Sequence, residues 1–447
     1  MTSPRVLIIG AGLAGSDAAW FLASRGVSVV LVEVKTLKKN PAQKIPFFAE
    51  LVCTNSLKSL DPDSAHGLLK TEMNALGSVV LATAAETAVP AGDALAVDRE
   101  LFSKAITQKL STHPNIRVVE AEAQDPLQLM RELECQHVIV ASGPLTTSPL
   151  EQWLVDNLGA EDIYFYDAIA PVVDADTLDY SKLYYKDRHK QPDERADYLN
   201  APMTKEQYDL FIQEMVTAEK VAPKDFEEWK FFESCLPIDL MAERGPETAR
   251  FSCMKPIGLE LPDGSEPWAV VQLRKENLAG AAFNLVGFQT RLTYKEQVRI
   301  FRMIPGLEEA SFIHLGSCHR NSFLNSRRLL SDSMTSRKFP ELSFAGQITG
   351  VEGYTESAAM GLYVASQLWR RLQGLTELSW PKETAIGALV NYVMTVEKPT
   401  PSNINFGLLP TIELTREQRK MGPRKKVRKS FAAARAREVF EAFRLQL

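Results

Sequence analysis

A glycine turn between two apolar segments occupies the N-terminal part of the chain, up to Glu33. Residues 6–9 form an apolar run typical of a buried parallel strand, and the pattern Gly10-x-Gly12-x-x-Gly15 follows directly. In such a turn the first glycine permits the sharp change of direction, the second lets a pyrophosphate approach the backbone, and the third lets the next helix pack closely on the strand. The pattern therefore predicts a strand, a phosphate-binding turn and a helix, in that order.

The segment after the glycine turn supplies the rest of a nucleotide-binding unit. An apolar-periodic helix extends to about Ser24, a second buried run covers residues 27–32, and the acidic Glu33 follows. The N-terminus of such a helix offers free N–H groups and the positive end of its dipole to phosphates. Glu33 stands directly after the second run, where its carboxylate can accept hydrogen bonds from a ribose. Residues 6–33 therefore predict a dinucleotide site, with a fortuitous glycine turn as the alternative.

The length and composition favour a globular protein of two or three domains. The chain has 447 residues, of which 45% are apolar and 24% are charged, and one core does not extend over that length. No run approaches the ~18 apolar residues of a membrane span. Because the N-terminus passes straight into a core strand, we also expect no signal peptide. A cytoplasmic protein without a membrane partner is expected.

The five cysteines are an odd number and show no metal-ligand spacing. This usage favours reduced thiols in a cytoplasm over a disulfide framework, and it predicts no metal site. Cys135 lies beside the apolar run 138–141 and is expected to be a buried core residue.

The net charge of −5 hides a basic C-terminus. Residues 415–447 contain eleven lysines and arginines against three glutamates, a net charge of +8, so the preceding chain carries −13. A basic segment fits phosphate backbones or acidic surfaces. The alternative is a solvated amphipathic helix, because residues 430–443 place apolar side chains near helical spacing. We expect residues 411–447 to form a basic helical tail and a candidate RNA contact.

A second strand–glycine–helix signal lies far from the first along the chain. Residues 137–143 predict a strand that ends in small residues at Gly143, and a short apolar strand returns at residues 342–345. A glycine-rich turn follows, and a helix is predicted from about Ser357. FAD is longer than NAD and needs a second helix N-terminus near the flavin, so the distant signal favours FAD. The glycines of this turn are Gly346, Gly350 and Gly353.

These signals predict an α/β fold with a discontinuous, Rossmann-like FAD-binding domain of the glutathione-reductase-like type. Residues 1–150 and 330–410 would form that domain, and residues 151–329, rich in aromatic and charged side chains, an inserted α+β domain. A second G-x-G-x-x-G is absent from the middle of the sequence. NADH or NADPH would therefore bind only transiently.

Several distinctive motifs lie between and within these signals, namely AELVCTNSL (49–57), GLLKTEMNALGS (67–78), VPAGDALAVDRELF (89–102), FFESCLPIDLMAERG (231–245), NLVGFQTRL (284–292), HRNSFLNS (319–326) and GQITGVEGYTESAAMG (346–361). These motifs closely resemble those of one enzyme family, the folate- and FAD-dependent tRNA (uracil-5-)-methyltransferases, TrmFO. The similarity extends over nearly the whole chain to about Gly407, and a more distant likeness exists to the MnmG flavoproteins, which modify wobble uridines of tRNA.

The resemblance implies a reaction in which NADH or NADPH reduces FAD and the flavin accepts a methylene at N5 from 5,10-methylenetetrahydrofolate. The carbon then passes to C5 of a uridine, usually uridine 54 of the tRNA T loop, and is reduced to a methyl group. Uracil C5 is a poor nucleophile until a group adds at C6, and a thiolate is suited to that addition. The resemblance assigns Cys235 to C6 and Cys53 to an assisting role. The reverse assignment and buried, inert cysteines are the alternatives.

Residues in the second glycine turn are further candidates. Glu352, Tyr354 and Glu356 lie where the resemblance places the flavin. Tyr354 could stack on a pterin or a base, or it could be a packing residue.

Charged residues outside the glycine turns form a third group of candidates. Asp98 and Arg99 resemble the Asp-Arg pair of flavoproteins, and a role in the cofactor domain is favoured over a surface ion pair. Other residues are candidates for folate or RNA contact, against the default of a solvated charge: Arg274, Arg291, His319 and Arg320.

Two other functions stay open at this point. The same chemistry could act on ribosomal RNA, or the protein could be a catalytically silent, FAD-bearing RNA-binding factor. The two cysteines in polar motifs favour an enzyme, because a binding protein needs neither thiol.

Overall fold

The computed structural model describes residues 4–40, 42–159, 163–168, 170–188, 196–221, 236–276, 280–316, 318–397 and 401–447, with the backbone alone for 163–168, 318–322 and 425. The strands are β1 Arg5–Ile9, β2 Ser28–Glu33, β3 Ser56–Ser59, β4 Ala88–Val89, β5 Ala94–Val97, β6 Ile116–Glu120, β7 His137–Val140, β8 Ile163–Ala168, β9 Val172–Asp174, β10 Tyr184–Tyr185, β11 Tyr198–Met203, β12 Ala269–Lys275, β13 Ala282–Leu285, β14 Phe312–His314, β15 Cys318–Phe323 and β16 Leu342–Phe344. The helices are α1 Leu13–Ala23, α2 Ala65–Ala75, α3 Val79–Glu86, α4 Arg99–Ser111, α5 Pro126–Glu132, α6 Ser148–Leu158, α7 Lys205–Thr217, α8 Ile238–Arg244, α9 Tyr294–Phe301, α10 Ser326–Leu329, α11 Tyr354–Leu372, α12 Ala385–Thr395 and α13 Arg424–Phe443. Within these residues, no helix is both long and apolar enough to cross a membrane.

A parallel sheet is built from both halves of the chain. In the described part it has five strands in the order β16-β7-β1-β2-β6. Val6, Leu7 and Ile8 of the central strand β1 are fully buried, as expected for a parallel strand that is covered on both faces. Helix α1 supplies the crossover that the parallel pair β1–β2 requires. The strand, helix and strand predicted for the segment up to Glu33 are confirmed, and β16 returns the chain to the sheet beside β7.

Helices α1 and α11 approach each other closely because small residues lie at their contact. A Cβ atom on Gly361 of α11 would lie 2.2 Å from the carbonyl oxygen of Ala14 in α1. Helix α11 begins at Tyr354, three residues before the predicted Ser357. The N-termini of both helices therefore lie at the same edge of the sheet.

The middle of the chain forms a separate antiparallel sheet. Its strands are ordered β10-β11-β12-β13-β9-β14 in the described residues. A separate two-stranded ribbon pairs β8, which precedes these strands in the sequence, with β15, which follows them. Tyr208, Phe211, Phe288 and Phe301 lie in a core of its own. This mixture of helices and antiparallel strands agrees with the α+β insertion expected from the sequence, and the domain limits given above stay a prediction.

The basic C-terminal segment forms helix α13, which packs on the parallel-sheet domain. Phe440 and Phe443 belong to the core of that domain, and the ring centroid of Trp380 lies 4.9 Å from that of Phe443. The helix predicted for residues 430–443 is confirmed and begins earlier, at Arg424.

Candidate functional site

A cavity of about 510 Å³ opens at the carboxyl edge of the parallel sheet. Residues that follow β1, β2, β6, β7 and β16 all line it, so the cavity lies where open parallel sheets bind ligands. The N-termini of α1, α6 and α11 also border it, and none of the three first turns is capped by a side chain. Predicted cofactor residues in the lining are Gly10, Gly12, Glu33, Gly143, Gly346 and Tyr354.

The glycine turn forms one wall of the cavity, and each glycine has a different environment. Gly10 has a φ of 103°, and a Cβ there would lie 2.5 Å from the carbonyl oxygen of Ala141. A Cβ on Gly15 would lie 1.8 Å from the carbonyl oxygen of Gly10, which is the close approach that the sequence pattern predicts. A Cβ on Gly12, by contrast, would have no protein atom within 4 Å apart from its chain neighbours. Gly12 therefore leaves open space at the cavity wall.

Glu33 connects β2 to the glycine turn. Its carboxylate accepts a hydrogen bond from the backbone N–H of Ala11 at 2.7 Å, and from those of Val34 at 2.8 Å and Lys35 at 2.9 Å. The carboxylate thus fixes the backbone on both sides of the cavity. Its contact with a ribose stays a prediction.

The loop after β2 covers one side of the cavity and is held by a buried ion pair. Lys35 Nζ lies 2.8 Å from Glu50 Oε2, with side chains only 3% and 7% exposed. Glu50 Oε1 also accepts a hydrogen bond from the backbone N–H of Lys44 at 2.7 Å. Sequence reasoning missed both ionic residues, because neither belongs to a recognisable motif.

Cys53 lies next to this wall, since its neighbour Val52 lines the cavity. The hydroxyl oxygen of Tyr354 accepts hydrogen bonds from the backbone N–H groups of Cys53, at 2.7 Å, and Thr54, at 3.2 Å. Burial raises the pKa of Tyr354, and the sulfur of Cys53 raises it further. Tyr354 therefore stays protonated and joins the first turn of α11 to the cysteine.

Arg99 reaches the same loop from α4. Its Nη1 donates a hydrogen bond to the carbonyl oxygen of Leu51 at 3.0 Å, and its Nε lies 2.7 Å from Glu276 Oε2. Burial opposes the charge of Arg99, but Glu276, Tyr354 and Cys53 outweigh it, so the pKa of the guanidinium is raised. Arg99 therefore forms a largely buried ion pair with Glu276, the residue that follows β12, and its role in the cofactor domain stays a prediction. Its neighbour Asp98 caps α4 by accepting from the N–H groups of residues 100 and 101.

Arg274 of β12 holds the residues that follow Cys53. Its Nε donates to Asn55 Oδ1 at 2.9 Å, and its Nη2 donates to Thr54 Oγ1. Arg291 is also buried, where Asp239 Oδ2 lies 2.6 Å from its Nε. The default interpretation of both arginines as solvated surface charges is therefore wrong, because both side chains are buried. Arg274 connects β12 to the residues after Cys53, and Arg291 pairs with Asp239 of α8.

Glu356 is fully buried in the first turn of α11. Its Oε1 accepts a hydrogen bond from the backbone N–H of Ile404 at 3.0 Å and lies 3.4 Å from Nδ1 of His66. Burial opposes its ionisation, but His66 and the backbone of Ile404 outweigh this, so its pKa is lowered. Glu356 thereby ties α11 to the loop that precedes the C-terminal segment.

The structure divides the predicted site residues into three groups. Six cofactor residues line the cavity, and Cys53 is held beside it. Cys235 lies outside the described residues, as do the side chains of His319 and Arg320. Predicted residues that are absent from the lining are Gly15, Asp98, Arg99, Gly350, Glu352 and Gly353. The described residues contain no group of three or more His, Cys, Asp or Glu side chains placed to hold a metal.

Replacing Tyr354 by phenylalanine is expected to lower kcat by between about 10- and 100-fold, because a nucleophile or base displaced by about 1 Å loses that much. The two unpaired N–H groups would also cost about 1–3 kcal/mol of unfolding free energy. Thermal unfolding and single-turnover rates measure the two effects. Tyr363→Phe is the matched control, because its hydroxyl donates to the Asp332 carbonyl oxygen at 2.6 Å on the same helix. Equal loss of rate in both variants would contradict the assignment.

Comparison with a protein-family model and with solved structures identifies the class of fold to which the chain belongs. The family described as glucose inhibited division protein A, GIDA, matches residues 5–376. The crystal structure of Aquifex aeolicus GidA aligns with a TM-score of 0.69 at 16% identity, covering 99% of this chain and 74% of that chain. The protein therefore has the GidA fold, and the Rossmann-like α/β fold predicted from the sequence is confirmed.

Relatives at higher identity define the family more narrowly. Methylenetetrahydrofolate--tRNA-(uracil-5-)-methyltransferase TrmFO of Geotalea daltonii is 50% identical over 416 residues, 92% of this chain and 93% of that protein. TrmFO of Aquifex aeolicus is 47% identical over 439 residues, covering 98% and 96%. The chain belongs to the TrmFO family, which confirms the resemblance seen in the sequence.

Proposed function

We propose that this protein transfers a one-carbon unit from 5,10-methylenetetrahydrofolate to C5 of uridine 54 in the T loop of tRNA and completes it to a methyl group. The observation that carries the proposal is the position of Cys53. Its backbone is fixed by Tyr354, which itself lines the cavity. A thiol is thereby held at the edge of the cavity, in a chain whose relatives are named as tRNA uracil-5-methyltransferases.

The cavity residues fit FAD. Open space around Gly12 and the uncapped N-terminus of α1 suit a pyrophosphate. Gly143 and Gly346 border the cavity without side-chain bulk, and Tyr354 and Ser357 bring α11 to it. When bound, FAD supplies reducing equivalents and, through N5, the carrier for the carbon. NADH or NADPH is the proposed reductant.

The two cysteines supply the groups that uracil needs. The Cys235 thiolate adds to C6, which moves the C5–C6 electron pair onto C5 and the carbonyl oxygen O4, so that C5 can attack the one-carbon unit. Cys53 then accepts the proton from C5 while the bond between the transferred carbon and its carrier breaks, which leaves an exocyclic methylene on C5. A hydride that NADH or NADPH supplies by way of FAD adds to this methylene, and the C5–C6 double bond re-forms as the sulfur leaves C6. Arg99 lies close enough to favour the thiolate of Cys53.

These reactions need reduced thiols, and we place the enzyme in the cytoplasm.

The test combines purified protein, NADH or NADPH, methylenetetrahydrofolate labelled at the transferred carbon, and, in parallel reactions, an unmodified tRNA transcript or unmodified ribosomal RNA. We expect label in 5-methyluridine at position 54. A transcript with cytidine at position 54 is the control and should stay unlabelled. Label in ribosomal RNA alone, or at another tRNA position, would overturn the proposed target, and no label in any RNA would overturn the reaction.

A further inference from the structure

The lysines and arginines of residues 411–447 fall into two groups that differ in their partners. Those in the second half of helix α13 contact the rest of the protein: Arg437 Nη1 lies 2.8 Å from Asp63 Oδ1 and also donates to the Pro62 carbonyl oxygen at 2.9 Å. Arg435 donates to the carbonyl oxygen of Pro410. Together with Phe440 and Phe443 in the core, these contacts fix helix α13 to the parallel-sheet domain.

The described cations between residues 416 and 429 differ in having no carboxylate partner, and Arg419 Nε donates a hydrogen bond to the nearby Leu414 carbonyl oxygen at 3.0 Å. Among those whose side chains the structure describes, none forms an ion pair with a carboxylate. Six of these side chains are exposed, and the segment contains one acidic residue, Glu417. We call the six exposed side chains the basic patch: Arg416, Arg419, Lys420, Arg424, Lys426 and Lys429. A dense, unpaired cationic surface on an anchored helix is suited to a polyanion.

The basic patch also has a structural connection to the site. Nζ of Lys429 lies 5.7 Å from the ring centroid of Phe406. Phe406 belongs to the loop whose Ile404 N–H is bound by Glu356, two residues after Tyr354. An anion bound at Lys429 would therefore lie beside the loop that supports the first turn of α11.

We propose that the basic patch binds the phosphate backbone of the tRNA substrate and holds it while the target uridine enters the site. This inference rests on the proposed function only in taking tRNA as the substrate. Phosphate contacts position a nucleic acid without reading its sequence. Loss of the patch should therefore weaken binding and raise KM, while kcat at saturating tRNA stays unchanged.

The test replaces Arg424, Lys426 and Lys429 together by serine. The matched control replaces three exposed cations on the parallel-sheet domain, namely Lys104, Arg117 and Arg131, by serine, which gives the same change of net charge. The Kd for unmodified tRNA is measured from about 50 to 200 mM salt. We expect the patch variant to raise Kd at least about tenfold and to reduce the salt slope by about 2.7, since each of the three lost phosphate contacts contributes about 0.9. The control should change Kd less than about twofold.

Three results would overturn the proposal. The first is an equal change of Kd in both variants, and the second is an unchanged Kd in the patch variant. The third is patch-dependent binding to phosphatidylglycerol vesicles with unchanged tRNA affinity, which would assign the surface to membranes. NADPH oxidation by the patch variant serves as a readout of intact cofactor binding. Because tRNA binding is measured without methyl transfer, failure of the patch and failure of the proposed reaction give separate results.

Discussion

Gly12→Ala is expected to leave the protein folded but to raise the Kd for FAD at least about tenfold, or about 1.4 kcal/mol. The reason is the space around Gly12, where a Cβ meets no protein atom within 4 Å beyond its chain neighbours and the φ of −71° suits any residue. The added methyl group would occupy the space proposed for the pyrophosphate.

Gly15→Ala should behave in the opposite way. Its Cβ would lie 1.8 Å from the carbonyl oxygen of Gly10, so the variant should lose about 3 kcal/mol or more of unfolding free energy.

The two variants are each other's control. FAD titration by flavin fluorescence gives the Kd, and thermal unfolding of the flavin-free protein gives the stability. If Gly12→Ala unfolds as readily as Gly15→Ala, the cavity wall at Gly12 is needed for packing rather than for a ligand. If Gly12→Ala binds FAD as tightly as the parent protein, the pyrophosphate lies elsewhere and the cofactor position proposed above is wrong.

The parallel-sheet domain could be predicted because its signals are local. Residues 6–33 carry strand, turn and helix in one continuous segment, and each glycine has a steric reason that depends on near neighbours. The second signal at Gly346 could be recognised by the same rule. The start of α4 is also fixed locally, because the side chain of Asp98 accepts hydrogen bonds from the backbone N–H groups of residues 100 and 101.

The support of Cys53 could not be predicted, because it joins residues that are far apart in the sequence. Glu276 stands 177 residues from Arg99, and Arg274 stands 220 residues from Thr54. The identity of a charged residue in the sequence does not reveal whether its side chain is solvated or buried against a partner. Only the packing of β12 on the cysteine loop decides between the two. The sequence therefore identified the thiol but not the residues that hold it.

Cys235→Ser is expected to lower the methylation rate at least about 10⁴-fold, because a hydroxyl is a far weaker nucleophile than a thiolate. Cys53→Ser should lower it at least about 100-fold, the usual contribution of a general base. Cys135→Ser is the control. Burial in the core raises the pKa of that thiol to about 11, so it stays protonated and inert, and its replacement should alter stability rather than rate. Rates are measured in single turnovers with saturating tRNA and enzyme-bound FAD.

A tRNA that carries 5-fluorouridine separates the roles of the two cysteines. Fluorine at C5 cannot be removed as a proton, so a thiolate that has added to C6 stays covalently bound after C5 has accepted the carbon. Enzyme with Cys235 intact should therefore form a stable protein–RNA adduct, and Cys53→Ser should still form it, because no C5 proton has to leave. Cys235→Ser should form none. An adduct with Cys235→Ser, together with its loss in Cys53→Ser, would reverse the assignment and make the thiol held by Tyr354 the nucleophile.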